Sequence, residues 1–227
     1  MNKYEELSKT YLRLNGYFII DNYIVHNGGA DISNSYKKII PESTELDILG
    51  VRFPFQKEQS DKLLIKNDEN LILQSNMIDF VIIESKSKNS NKPNSTWSLE
   101  NINYILRFFG FTADENVINE IAITLKEKYS CTWNNYSIRY IITSENANDY
   151  YVDKGLQYIT IDTILNFIIK IRGNCWFDEK IAVSSDHHQW NDFMNIVFKI
   201  ANDQSKNSEE KKNAIIKYLN NDKMELK

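Results

Sequence analysis

The chain has 227 residues, 42% of them hydrophobic and 12% aromatic, which is enough for one well-filled core. The formal net charge of −4 and a sequence pI near 5.5 exclude a generally basic, DNA-coating protein, although not a protein with a local basic patch. Two cysteines, Cys131 and Cys175, make neither a disulfide framework nor a zinc site. They fit a reducing, cytoplasmic setting; the polar N-terminus does not read as a signal peptide, and no run approaches the roughly 18 apolar residues of a membrane span.

Tyr4, Leu7, Tyr11 and Leu14 recur at steps of three and four, the apolar stripe of a helix over 4–14. Asn15-Gly16 supplies the glycine that ends helices. Residues 17–25 (YFIIDNYIV) are β-branched and aromatic and predict a strand or strand pair, followed by a turn at His26-Asn27-Gly28-Gly29. Residues 45–52 (ELDILGVR) predict another strand, and 63–73 an extra hairpin turning at 67–70. Residues 80–87 (FVIIESKS) predict a strand buried on both faces at its start, and 88–93 a polar loop. Helices are expected over 98–109 and 116–129, and a strand over 137–143. A short strand over 157–161 runs into a helix over 162–172, and two further helices follow over 192–201 and 207–221. The last helix is charged and expected to pack weakly. Strands interleaved with helices predict an α/β fold. The boundary is placed near Asn174, giving a main domain over 1–173 and a helical extension over 174–227 packed on it.

The chemistry concentrates on two strands. Side chains alternate along a strand, so Glu84 and Lys86 share a face, as do Glu45, Asp47 and Leu49, while Leu46, Ile48 and Gly50 share the other. Charges inside such apolar strands are costly unless paired or metal-bound. Hard divalent cations take carboxylate and carbonyl oxygens. Asp47, Glu84 and the main-chain carbonyl of Ser85 are therefore the candidate ligands of a Mg²⁺ (or Mn²⁺) ion. Lys86 would sit beside an attacking water, orienting it or stabilising charge in the transition state.

ELDILGVR followed by DFVIIESKS resembles the acidic strand and the E-x-K strand of the PD-(D/E)XK, restriction-endonuclease-like nucleases. YEELSKTYLRLNGYFI resembles their first helix, and the resemblance covers roughly residues 4–170. It implies a three-layer α/β/α core around a mixed four-stranded sheet, Mg²⁺ dependence and hydrolysis of DNA. It also implies a helix acid at Glu5, with Glu6 the alternative. The acidic strand lacks the proline of the family's name, and the long interval from Asp47 to Glu84 implies an insertion over 53–77.

Lys86, Lys88 and Lys92 form a basic edge that reads equally as a solvated loop or as a phosphate contact, and Trp97 and Tyr104 flank it as candidates for base stacking, with Tyr104 expected in the core instead. Glu45 is expected beside the site or on the surface, and His26 on a surface turn. His187 and His188 are adjacent, do not share a face and are not expected to bind metal; Asp186 reads as part of a helix N-cap. Gly28-Gly29 lacks the spacing of a phosphate-binding loop. The expectation is a metal-dependent endodeoxyribonuclease acting in restriction, repair or anti-phage defence. Its partners would be DNA and a protein of a multi-subunit system, with homodimerisation open and no membrane involved. The alternatives are a non-catalytic module for nucleic-acid binding or assembly, and an interaction subunit working through its aromatic second half.

Overall fold

The computed structural model describes residues 2–26, 43–56, 58–59, 64–87, 90–94, 97–171 and 191–220. Helix α1 (Lys3–Leu14) starts where the Asn2 side chain accepts from the Tyr4 N–H at 3.1 Å. It stops at Gly16, whose φ of +83° is the left-handed value that ends helices. Strand β1 (Phe18–His26) then pairs antiparallel with β2 (Ser43–Arg52), with Phe18 opposite Val51.

The expected hairpin across 67–70 does not form. Instead β3 (Glu58–Gln59) pairs with β4 (Leu64–Ile65), and Glu69–Leu71 is a turn of 3-10 helix. Asp68 is the cause. Its carboxylate accepts from the Asn70 N–H at 3.0 Å and from the Tyr11 hydroxyl at 2.9 Å. Its own N–H reaches Asn15 Oδ1 at 2.7 Å, so the segment is pinned to the end of α1 and Leu71 is buried there.

The insertion does not separate the two motif strands. Strand β5 (Ile78–Ser85) pairs antiparallel with β2, from Arg52–Asp79 to Ile48–Ile83. The parallel neighbour of β5 is β7 (Tyr136–Ser144). The far edge of β7 is shared: β6 (Ser130–Trp133) runs antiparallel along its first half, and β8 (Gln157–Thr160) parallel along its second. Among the described residues the sheet therefore has six strands in place of four. Strand β6 escaped the sequence reading because its four residues follow a helix directly and turn into β7 at Asn134, whose φ is +52°.

Helices α2 (Leu99–Phe109) and α3 (Glu115–Lys128) cover one face of the sheet, over Leu49, Phe80, Ile82, Ile138 and Ile142. On the other face α1 joins α5 (Ile161–Lys170), α6 (Asp192–Ala201) and α7 (Ser208–Asn220) over Ile48, Val81, Ile83 and Ile141. A short α4 (Asp149–Val152) links β7 to β8. The chain is thus α/β, with helices on both faces of a mixed sheet. Strands β5 and β7 read as continuous apolar runs because both their faces are covered. Helix α7 packs more firmly than its charge suggested, with Ile215 and Leu219 only 0% and 6% exposed. Among the described residues no helix is long and apolar enough to cross a membrane.

Candidate active site at the open end of the β2–β5 ladder

Simple alternation along β2 fails at Asp47. Leu46 packs on the α2/α3 side together with Leu49, while Ile48 packs on the α1 side. Gly50 lies on the α1 side as well, where a Cβ would meet Val81 at 2.9 Å. The same break appears on β1: Asp21 reaches Lys9 of α1, yet Tyr23, two residues on, packs against Phe108 of α2. Between these pairs the Asn22–Asp47 rung is the one missing from the β1–β2 register, and Asn22 has a φ of +50°. Asparagine tolerates this left-handed conformation better than other non-glycine residues.

The irregularity turns Asp47 out of the alternating pattern and into the plane of the sheet. The β2–β5 ladder ends at Ile48–Ile83, and beyond it Asp47 Oδ2 accepts from the Ser85 main-chain N–H at 2.7 Å. Lys86 N–H donates to the Thr143 carbonyl at 2.7 Å on the opposite side. In a trans peptide the N–H and the preceding C=O point in opposite directions. The Ser85 carbonyl therefore points away from β7, toward Asp47. Beneath it Ser85, Thr143 and Ser8 of α1 join hydroxyls, with Ser8 Oγ 2.7 Å from Thr143 Oγ1 and 3.2 Å from Ser85 Oγ. These contacts tie the end of β5 to α1.

Glu84 and Lys86 share a face as alternation requires, and they form an ion pair through Glu84 Oε1. The other oxygen, Oε2, accepts from the Tyr140 hydroxyl and, at 3.0 Å, from the Asn94 main-chain N–H. Tyr140 stacks on Trp97 with ring centroids 4.0 Å apart and planes 24° apart. Asp47, Glu84, Asn94, Trp97 and Tyr140, with Leu46 and parts of β5, line a cleft of about 30 Å³. That is space for about one water or one ion.

The electrostatics are those of crowded anions. Burial raises the Asp47 carboxyl from 3.8 to about 6; the Ser85 N–H opposes this, Glu5 and Glu84 add to it, and Lys86 again opposes it. Burial first, and the charge of Glu84 second, hold the Tyr140 phenol well above its ordinary value, so it acts as a donor. The two carboxylates and the Ser85 carbonyl are all hard oxygen donors, and a divalent cation among them would relieve the repulsion that Asp47 carries. Among the described residues no group of three His, Cys, Asp or Glu side chains that could hold a metal is found; this set has two carboxylates and a main-chain oxygen.

The two helix acids part company. Glu5 accepts from Asn2 Nδ2 at 2.7 Å at the start of α1 and acts on Asp47 through its charge. Glu6 is buried in a different network, paired with Lys9 and accepting from Asn191. Lys9 also binds Asp21, at 2.7 Å. Glu5 is therefore the helix carboxylate that faces the site electrostatically.

Trp97 is not available to bases: it is 5% exposed and stacked on Tyr140, next to Asn94, whose N–H is held by Glu84. Tyr104 is half-buried against the same core. Lys92 is exposed. Lys88, His187, His188 and Asp186 lie outside the described residues, as do the side chains of Glu45 and His26. The sequence reading missed Tyr140, Asn94 and the role of Trp97. The one available signal was a polar-tipped aromatic within the apolar run SIRYIIT. No protein-family model, curated protein or solved structure matches this chain.

Proposed function

We propose that the chain is a metal-dependent nuclease of the PD-(D/E)XK kind that hydrolyses DNA phosphodiester bonds with Mg²⁺ or Mn²⁺. The observation that carries this reading is the meeting of Asp47, the Ser85 carbonyl, Glu84 and Lys86 where the β2–β5 ladder opens. The order α1, β1, β2, β5, β7, with β1, β2 and β5 antiparallel and β7 parallel to β5, supports the restriction-endonuclease-like fold that the motifs resemble.

In this reading Asp47, Glu84 and the Ser85 carbonyl hold the cation. When bound, such an ion polarises the phosphodiester and lowers the pKa of a coordinated water. Lys86, on the same face as Glu84, would place its ammonium beside the attacking water and the developing charge. Glu5 adds negative charge at the edge of the site and strengthens its attraction for a cation. Lys92 contacts the phosphate backbone, with Lys88 beside it in the sequence. The activity would serve restriction, repair or anti-phage defence, acting with a protein partner.

Nicking of supercoiled plasmid, titrated with Mg²⁺ and Mn²⁺, tests the proposal. Activity should appear with metal, vanish with EDTA, and fall at least about 100-fold in Asp47→Ala, Glu84→Ala and Lys86→Ala. Wild type indistinguishable from Lys86→Ala on every DNA and RNA form would overturn it. One observation favours a second reading, a non-catalytic module for nucleic-acid binding or assembly. Both oxygens of Glu84 and one of Asp47 already have protein partners, as in a self-satisfied structural cluster. Metal-independent DNA binding without cleavage would select that reading.

A further inference from the structure

Tyr140 stands on β7 opposite Ile82, one strand away from the carboxylate it touches. It reaches Glu84 diagonally, since the rung partner of Glu84 is Ile142 and Tyr140 lies two residues earlier on the same face. Its ring has little freedom: Trp97 stacks on it at 4.0 Å, and Tyr129 lies nearly parallel with centroids 6.1 Å apart. The hydroxyl ends on Glu84 Oε2, and the Asn94 N–H donates to the same oxygen. Lys86 takes the other oxygen. Two donors on one oxygen fix a side chain that otherwise has three free torsions, and they leave Oε1 turned toward Lys86 and the cleft.

We propose that Tyr140 is a positioning residue that sets the orientation of Glu84 for cation binding, with the Trp97 stack as the clamp that holds the phenol in place. This inference rests on the nuclease reading and adds to it a residue that neither the motifs nor their spacing indicate. In this role Tyr140 acts through Glu84, the carboxylate to which its hydroxyl donates. Its removal should therefore weaken the metal site and leave DNA contact unchanged. Partners of this kind behind a ligand typically govern about 10–100-fold in metal affinity or activity.

The test compares wild type, Tyr140→Phe, Trp97→Phe and the control Tyr129→Phe as full-length proteins. Mn²⁺ binding without DNA is read by loss of the free-ion paramagnetic resonance signal, and plasmid nicking is followed against Mg²⁺ concentration. Tyr140→Phe keeps the ring and the stack and deletes only the hydroxyl. It should raise both the Mn²⁺ dissociation constant and the Mg²⁺ half-saturation about tenfold, with KM for DNA within about twofold of wild type. Trp97→Phe should shift both in the same direction by less, and Tyr129→Phe should shift neither. A merely structural role would lower the active fraction without moving either metal midpoint. If Tyr140→Phe does not fold, as judged by circular dichroism, Trp97→Phe supplies the same comparison. Wild-type midpoints in a folded Tyr140→Phe would overturn the proposal while the nuclease reading stands. A wild type that neither binds Mn²⁺ nor nicks DNA would bring down both, and the two failures are distinct on the same plate.

Discussion

Replacing Asp47 with asparagine should stabilise the metal-free protein while abolishing cleavage. The reasoning starts from a carboxyl raised from 3.8 to about 6 by burial, with Glu5 and Glu84 adding to the shift. Between those values the folded protein holds a proton that the unfolded chain has released. Stability contributed by this group is complete below about pH 4, declines as pH rises, and is fully lost above about pH 6. A shift of that size corresponds to about 3 kcal/mol at neutral pH. Asp47 is only half-buried, and screening by solvent reduces the expected effect to about 1–2 kcal/mol. Asparagine keeps an oxygen for the Ser85 N–H, so the structural hydrogen bond survives the change. For a chain of this length the gain is about 3–6 °C in melting temperature. The assay is thermal and denaturant unfolding in EDTA at about pH 7.5 and again at about pH 4.5, where the difference between the proteins should shrink. Added Mg²⁺ should then stabilise wild type and leave Asp47→Asn unmoved. An Asp47→Asn protein less stable than wild type at neutral pH, or equally stabilised at both pH values, would refute the crowded-anion account of the site.

Glu5→Gln and Glu6→Gln should separate the two helix acids. Glu5→Gln lowers nicking severalfold with little change in melting, whereas Glu6→Gln costs about 1–3 kcal/mol in urea unfolding because it leaves Lys9 and Asn191 without their buried carboxylate. At the opposite end of β5, Arg139 is buried against Asp79, with its Nε 2.9 Å from Oδ1, and also meets Tyr17 and Gln157. Asp79→Ala should destabilise by about 3–5 kcal/mol in denaturant titrations, yet leave the Mn²⁺ dissociation constant of the folded protein unchanged. Lys92→Ala should raise KM for DNA about two- to threefold, reduce the salt dependence of binding measured by fluorescence anisotropy, and spare kcat.

Much of the architecture was legible because its determinants are local. The stripe Tyr4, Leu7, Tyr11 and Leu14 and the stop at Gly16 define α1 without reference to anything distant. The unbroken apolar runs of β5 and β7 announce strands covered on both faces. What escaped was set by contacts across the fold. The hairpin expected across 67–70 lost to Asp68, whose partners Tyr11 and Asn15 lie on another element and carry no mark of it in the sequence. Glu84 and Lys86 follow strict alternation and share the face that their spacing indicates. Asp47 does not, because the missing Asn22–Asp47 rung breaks the period that the sequence reading relied on.

That break explains why the site lies where it does. A regular β2 would send Asp47 to the α2/α3 face of the sheet with Leu49, away from the Ser85 N–H in the plane of the ladder. With Asn22 in the left-handed region, both strands lose their alternation at one rung, and the pairing of β2 with β5 reaches only to Ile48, next to Asp47. The Ser85 N–H, and with it the Ser85 carbonyl, is then left facing a carboxylate in place of a strand. The local strain is offset by Leu46 and Tyr23, which pack against the α2/α3 core. If this account holds, Asn22→Gly should be tolerated, since glycine adopts the same φ without cost. Asn22→Val should resist that conformation and restore the regular alternation. It should then draw Asp47 away from Ser85 and weaken Mn²⁺ binding more than it lowers the melting temperature. Equal metal affinity in Asn22→Gly and Asn22→Val would show that the break in the ladder does not create the site.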